Sequence, residues 1–262
     1  MYAPKRVIMP AVAVAAAVAA LLAAGLAARP ATAGGRDALH TLPDGRLYVA
    51  HHPGRPVTAA VVMLHSLHHD WHEGPAQGWS AESDRSGFLA VYPDGTAGSW
   101  NAGLCCAPAN DPVRYPSGPG SRVSGRDDVG FLDRVIADVR TRYQVRYVWL
   151  AGYSNGGMMA ERLVATKPWL SGRLAVWASA PEMPFPGTWT GRAWLGHGAL
   201  DTTVPWQGGF VTLAGRQVLI RPGQATPRYL IGAHLSAHVY PGVGHAPPSW
   251  WPATAWKALS AP

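Results

Sequence analysis

The chain is poor in charge and nearly without cysteine. Only 14% of its 262 residues are charged, against 48% hydrophobic, which excludes a disordered chain held open by charge. No block of lysines or arginines interrupts it, so nothing marks nucleic acid as a partner. The two cysteines, Cys105 and Cys106, are adjacent. They offer no spacing for zinc or an iron–sulfur cluster. Their only intrachain pairing is a vicinal disulfide, and two free thiols are the alternative. Internal repeats and a second-domain linker are also missing. Carboxylates are scarce after residue 154, where only Glu161, Glu182 and Asp201 occur. What is plentiful is glycine and proline, 30 and 24 residues, which fits one globular domain with many turns.

The first 33 residues read as a targeting segment. Lys5 and Arg6 precede an apolar run over 7–28, and Ala31-Thr32-Ala33 supplies the small residues of a cleavage site. Residues 1–33 are therefore expected to be a signal peptide and residues 34–262 the exported domain, secreted or held at the cell envelope if the signal stays. No cysteine follows the run, so a lipid anchor is not expected. Cleavage removes Lys5, Arg6 and Arg29 and lowers the net charge from +7 to +4. A monomer without a stable membrane span is expected.

Apolar runs alternate with helix-like stretches in the remainder, the pattern of a mainly parallel sheet with helices on both faces. Residues 57–64, 89–92, 147–150, 174–178, 193–195 and 237–240 read as strands. Asp127-Asp128 caps a helix in which Val129, Leu132, Val135, Ile136 and Val139 recur at helical spacing. Further helices are expected over 158–164 and 250–259. Residues 101–124 read as a long loop, and 211–228 carries β-like pieces without a clear period.

Gly152-Tyr153-Ser154-Asn155-Gly156 matches G-x-S-x-G between an expected strand and an expected helix. That context makes Ser154 the candidate nucleophile: a sharp strand-to-helix turn strains the serine backbone and projects its hydroxyl. It also aims the Asn155 amide, at a helix N-terminus, toward a developing oxyanion. Such sites order their residues as Ser, acid, His. Asp201 follows the 193–195 strand, where a loop delivers the acid, whereas Glu161 falls inside a helix and Glu182 in a stiff proline-flanked loop. His197 precedes the acid, while His234 and His238 belong to or abut the last strand. His245, in the loop Gly242-Val243-Gly244-His245, is the candidate base. The second oxyanion donor is expected after the first buried strand, from the amide of Ser66 or of Leu67.

The chain resembles the secreted polyhydroxybutyrate depolymerase and feruloyl esterase group of α/β hydrolases. The likeness runs from about Val57 to His245. It is carried by Leu64-His65 with Asp70-Trp71, Val91 to Gly95, Trp100 to Gly103, Cys105-Cys106, Asp127 to Leu132, Ser154 to Met159, His197-Gly198 with Asp201 and Val204-Pro205, and Gly244-His245. The resemblance implies the α/β-hydrolase fold, carboxylic-ester hydrolysis through an acyl-enzyme, no metal or organic cofactor, and the same three residues. The chain departs from that group in three ways. Ser66 stands where a glycine is usual, the segment before His245 lacks the usual Trp- and Cys-bearing helix, and an appended polymer-binding domain is not expected. Small or soluble oligomeric esters, of hydroxyalkanoate or feruloyl type, are the expected substrates.

The cluster His65, His68, His69, His72 and Glu73 does not have the His-Glu-x-x-His spacing of a zinc site and is read as polar loop. Trp149 and Trp177 are expected in the core, and Trp100 and Trp206 as lining of a substrate cleft. Asp94 and Asp127 are assigned to a turn and a helix cap. Two rival functions stand beside the esterase. One is an acyltransferase or peptidase using the same three residues, and the other a non-catalytic polymer- or glycan-binding protein on this scaffold.

Overall fold

The computed structural model describes residues 35–103, 105–106, 125–180, 187–213, 216–223, 230–231 and 233–262. The expected signal peptide, Glu182 and most of the 101–124 loop lie outside them. Among the described residues, strands β1 (Arg36–Thr41), β2 (Leu47–His52) and β3 (Ala59–Leu64) precede helices α1 (Glu73–Ala76) and α2 (Trp79–Ser86). Then follow β4 (Leu89–Pro93), α3 (Asp128–Tyr143), β5 (Tyr147–Tyr153), α4 (Asn155–Thr166), β6 (Arg173–Trp177), β7 (Gly187–Thr188) and β8 (Arg192–Gly198). The chain ends with β9 (Gly209–Leu213), β10 (Arg216–Ile220), β11 (Leu230–Ile231), β12 (His234–Tyr240) and α5 (Trp251–Ser260).

Eight strands form one sheet in the order β1-β2-β4-β3-β5-β6-β8-β12. The β1–β2 and β2–β4 pairs are antiparallel and the rest parallel. β3 explains the arrangement. All six of its residues are buried, because successive side chains leave opposite faces and both faces are covered. Ala60, Val62 and Leu64 pack with Val135, Ile136 and Val139 of α3 and Met159 and Leu163 of α4. Val61 and Met63 pack with Trp79 of α2 and Trp251, Ala255 and Leu259 of α5. Each fully buried Leu or Val here contributes about 1.5–3 kcal/mol, so a polar residue anywhere on β3 would break one of the two layers.

The expected strands and helices are present, most with longer bounds; β3 is shorter, starting at Ala59, and β6 and α5 are shifted by one residue. Asp127 caps α3, its carboxylate accepting the Gly130 N–H at 2.8 Å. The Asp94 amide donates to the Leu47 carbonyl at 3.1 Å, continuing the β2–β4 ladder past Pro93. Two features differ from expectation. The β1–β2 hairpin has no periodic signature, since β1 is largely exposed. The 211–228 segment without a period contributes to an antiparallel hairpin, β9–β10, over 209–220. Its Val211 and Val218 pack toward the core, and Phe210 and Leu219 remain exposed.

No helix among the described residues is long and apolar enough to cross a membrane.

Candidate active site

The parallel strands β5 and β8 bring their C-terminal ends to one edge of the sheet. Ser154 sits at the tip of β5 with φ 52 and ψ −120, a left-handed conformation that costs a non-glycine residue about 1–3 kcal/mol. Its amide donates to the Trp177 carbonyl at 2.9 Å, and its carbonyl accepts from Met158. The turn is possible only because its glycines lack side chains. A Cβ on Gly156 would lie 2.1 Å from the Leu64 carbonyl oxygen, and one on Gly152 2.5 Å from the Gly156 oxygen. β3, β5 and α4 therefore meet where the serine projects.

Asp201 follows β8, and His245 follows β12. The Ala199 amide donates to the Tyr240 carbonyl at 2.9 Å, and the Leu200 amide to the Val243 carbonyl at 2.8 Å, tying the two loops together. Gly198 allows this approach, since a Cβ there would meet the Gly244 oxygen at 2.1 Å. From below, the Trp177 indole N–H donates to the His245 carbonyl at 3.0 Å.

The three side chains form a continuous relay. His245 Nε2 is 3.0 Å from Ser154 Oγ, and His245 Nδ1 is 2.8 Å from Asp201 Oδ2. A carboxylate only accepts, so Nδ1 carries the proton and the Nε2 lone pair faces the serine hydroxyl. The other Asp201 oxygen accepts the Thr203 and Val204 amides, both at 2.9 Å. His197 lies beneath, its Nε2 donating to the Val204 carbonyl at 2.6 Å and standing 3.2 Å from Asp201 Oδ2. Burial alone would raise the Asp201 carboxyl. The hydrogen bonds from His197, His245 and the Val204 amide outweigh it and hold the group well below the usual carboxylate range.

A cavity of about 300 Å³ opens over the serine, lined by Ser66, Leu67, Cys105, Cys106, Met158 and Thr203 among others. The side chains of Cys105 and Cys106 face each other as a vicinal pair. Tyr153 flanks His245 with ring centroids 5.2 Å apart. Burial first, then Glu73 and Asp201 nearby, pushes its hydroxyl up, so it stays neutral.

Asn155 opens α4, where a first-turn amide has no intrahelical acceptor. Its side chain grips the backbone of Trp100: Oδ1 accepts the Trp100 N–H at 2.7 Å, and Nδ2 donates to the Trp100 carbonyl at 3.0 Å. Trp100 is thus corrected from cleft lining to buried support. It is fully buried, and its indole N–H donates to the His65 carbonyl at 3.0 Å. Trp206 is half-buried against His197, ring centroids 5.3 Å apart, and is not among the cavity-lining residues.

Of the two candidate loop amides, that of Ser66 is engaged. It donates to Glu73 Oε2 at 2.6 Å, and the Ser66 hydroxyl donates to Oε1 at 2.7 Å. Glu73 is the residue that sequence reasoning missed, having placed it only within a polar cluster. His69 Nδ1 stands 3.8 Å from Glu73 Oε1, while His65 and His72 are engaged elsewhere. Buried His65 donates from Nδ1 to the Ser66 carbonyl and accepts the Gly95 N–H at Nε2, both at 2.8 Å. Burial lowers its pKa to about 4. Exposed His72 pairs with Asp70. Among the described residues no group of three or more His, Cys, Asp or Glu is arranged to hold a metal.

No family model matches the chain. NocK of Nocardia uniformis subsp. tsuyamanensis, designated an esterase, is 28% identical over 146 residues, 55% of this chain and 36% of its own length. The chain therefore matches only about a third of that curated relative. Solved structures align far more completely. Acetyl xylan esterase from Aspergillus awamori has a TM-score of 0.56 at 15% identity, covering 80% of this chain and 94% of that one. The poly(3-hydroxybutyrate) depolymerase LpqC from Bordetella parapertussis has a TM-score of 0.56 at 18% identity, covering 87% and 89%. The chain has the α/β-hydrolase fold. At these identities the likeness carries the fold and nothing finer. Ser154 occupies the strand-to-helix turn between β5 and α4, at the C-terminal edge of the sheet.

Proposed function

We propose that this protein is an exported, monomeric serine carboxylic-ester hydrolase acting on small or soluble oligomeric esters. The observation that carries the reading is the unbroken relay from Ser154 Oγ through His245 to Asp201, on a strained turn facing a cavity.

In this reading His245 Nε2 takes the Ser154 proton as Oγ attacks the ester carbonyl. The oxyanion is met by the Asn155 amide and an amide of the Ser66–Leu67 loop. The imidazolium, stabilised by Asp201, returns the proton to the departing alcohol. Water then enters by the same route and releases the acid. All proton transfers are supplied by the chain itself. The cavity, about 300 Å³, is at the small end for ligand sites. This favours short acyl groups, hydroxyalkanoate units or the end of a feruloyl-type ester over bulky substrates. The resemblance described above, and the designation of NocK as an esterase, support ester hydrolysis.

The test is a panel of esters of varied acyl length, including feruloyl and 3-hydroxybutyrate esters, with Ser154→Ala as control. Turnover of short esters that disappears in the variant is expected. Undiminished turnover in Ser154→Ala, or none by the parent protein across the panel, would refute the proposal.

A further inference from the structure

The loop that follows β3 holds a clamp the relay does not use. Every polar atom of Ser66 is engaged. Its amide and hydroxyl donate to the two oxygens of Glu73 at 2.6 and 2.7 Å. Its carbonyl accepts from His65 Nδ1 at 2.8 Å and from the His69 amide at 3.4 Å. The Glu73 side chain is only 8% exposed, so these bonds are little screened.

Two consequences follow from elementary geometry. The Ser66 N–H already points into a carboxylate, and a second negative charge developing beside it would be repelled. Ser66 therefore does not receive the oxyanion. The peptide joining Ser66 to Leu67 is planar, with its N–H directed opposite its carbonyl. Two donors holding the Ser66 carbonyl thus fix the direction of the Leu67 N–H. That N–H has no hydrogen-bond partner among the described residues, and Leu67 lines the cavity with Ser154 and Asn155.

Resting on the esterase reading above, we infer that Glu73 is a positioning residue of the oxyanion site. By holding the Ser66 amide and hydroxyl, it commits the Leu67 amide, beside that of Asn155, to the developing charge. The serine found in place of the usual glycine is what gives Glu73 its second bond. Serine at 66 and glutamate at 73 thus act as a pair.

The experiment compares Glu73→Ala, Glu73→Gln and Ser66→Ala with the parent protein and Ser154→Ala. It reads kcat and KM on p-nitrophenyl acetate and inhibition by an alkyl boronic acid, which forms a tetrahedral adduct on a reactive serine. Glu73→Ala should lower kcat by about 100-fold, the lower end of the range for losing one oxyanion donor, with KM within about threefold. Boronate inhibition should weaken by a similar factor. Glu73→Gln should stay within about fivefold of the parent kcat, because its carbonyl accepts the Ser66 N–H and its amide nitrogen donates to Ser66 Oγ. Ser66→Ala keeps the amide bond and should lose about fivefold in kcat alone.

A parent-like kcat in Glu73→Ala, with Ser154→Ala inactive, would overturn the clamp and leave the esterase reading intact. So would a loss confined to KM, or a Gln variant as impaired as Ala. If thermal melting shows that Glu73→Ala does not fold, Ser66→Ala decides, and an unchanged kcat there overturns the clamp. A parent protein without Ser154-dependent turnover would overturn both.

Discussion

Replacing Asp201 by Asn perturbs one atom and should switch off the base. The Thr203 and Val204 amides both donate to Asp201 Oδ1 at 2.9 Å, so an Asn side chain must place its carbonyl oxygen there. Its NH2 group then occupies the Oδ2 position, 2.8 Å from His245 Nδ1. A donor facing Nδ1 drives the imidazole proton to Nε2, which now points an N–H at Ser154 Oγ across 3.0 Å. The serine keeps its proton and its partner but loses its acceptor. A wrong tautomer of this kind costs about 10⁴-fold in kcat, or about 5.5 kcal/mol of transition-state stabilisation. The measurement is kcat on p-nitrophenyl acetate at pH 8, with near-UV circular dichroism to show that the fold persists. An Asp201→Asn protein within tenfold of the parent kcat would refute the relay as described.

Ser154→Gly should melt higher than Ser154→Ala by about 1 kcal/mol, because φ 52 strains alanine and suits glycine; both should be inactive, and equal melting temperatures would deny the strain. Gly198→Ala should drive its methyl against the Gly244 oxygen, push the His245 loop outward and lower kcat at least 100-fold with the fold retained; an unaffected kcat would mean that loop gives way freely. Buried His65 has its pKa lowered to about 4 from 6.5, so the unfolded chain takes up the proton first. The stabilisation is whole above about pH 6.5 and is lost as pH falls toward 4, a swing of about 3 kcal/mol. His65→Gln should flatten the melting temperature between pH 7 and 4.5, and an unchanged slope would refute this assignment.

Strands buried on both faces, such as β3 and β4, were legible because every residue is apolar. α3 was legible because its apolar spacing and its Asp127 cap agree. The elbow was legible because few other reasons put a serine between two glycines at the end of a buried strand. Asp201 and His245, which the structure places in hydrogen-bond reach of one another, were picked out by scarcity and chain order, Asp201 being the sole aspartate after the serine. What escaped depends on tertiary contact. β1 is exposed and has no period. Trp100 looked like a cleft residue because an aromatic near a site fits either role, and only its bond to the His65 carbonyl shows which. Glu73 was hidden for the same reason: six residues lie between it and Ser66, and nothing in the pattern says that a turn brings them together.

The most direct test is fluorophosphonate labelling followed by peptide mapping. The account predicts one phosphonyl group on Ser154 in the parent protein and a large drop in labelling rate in His245→Ala. Absence of label on Ser154, or labelling indifferent to His245, would contradict it.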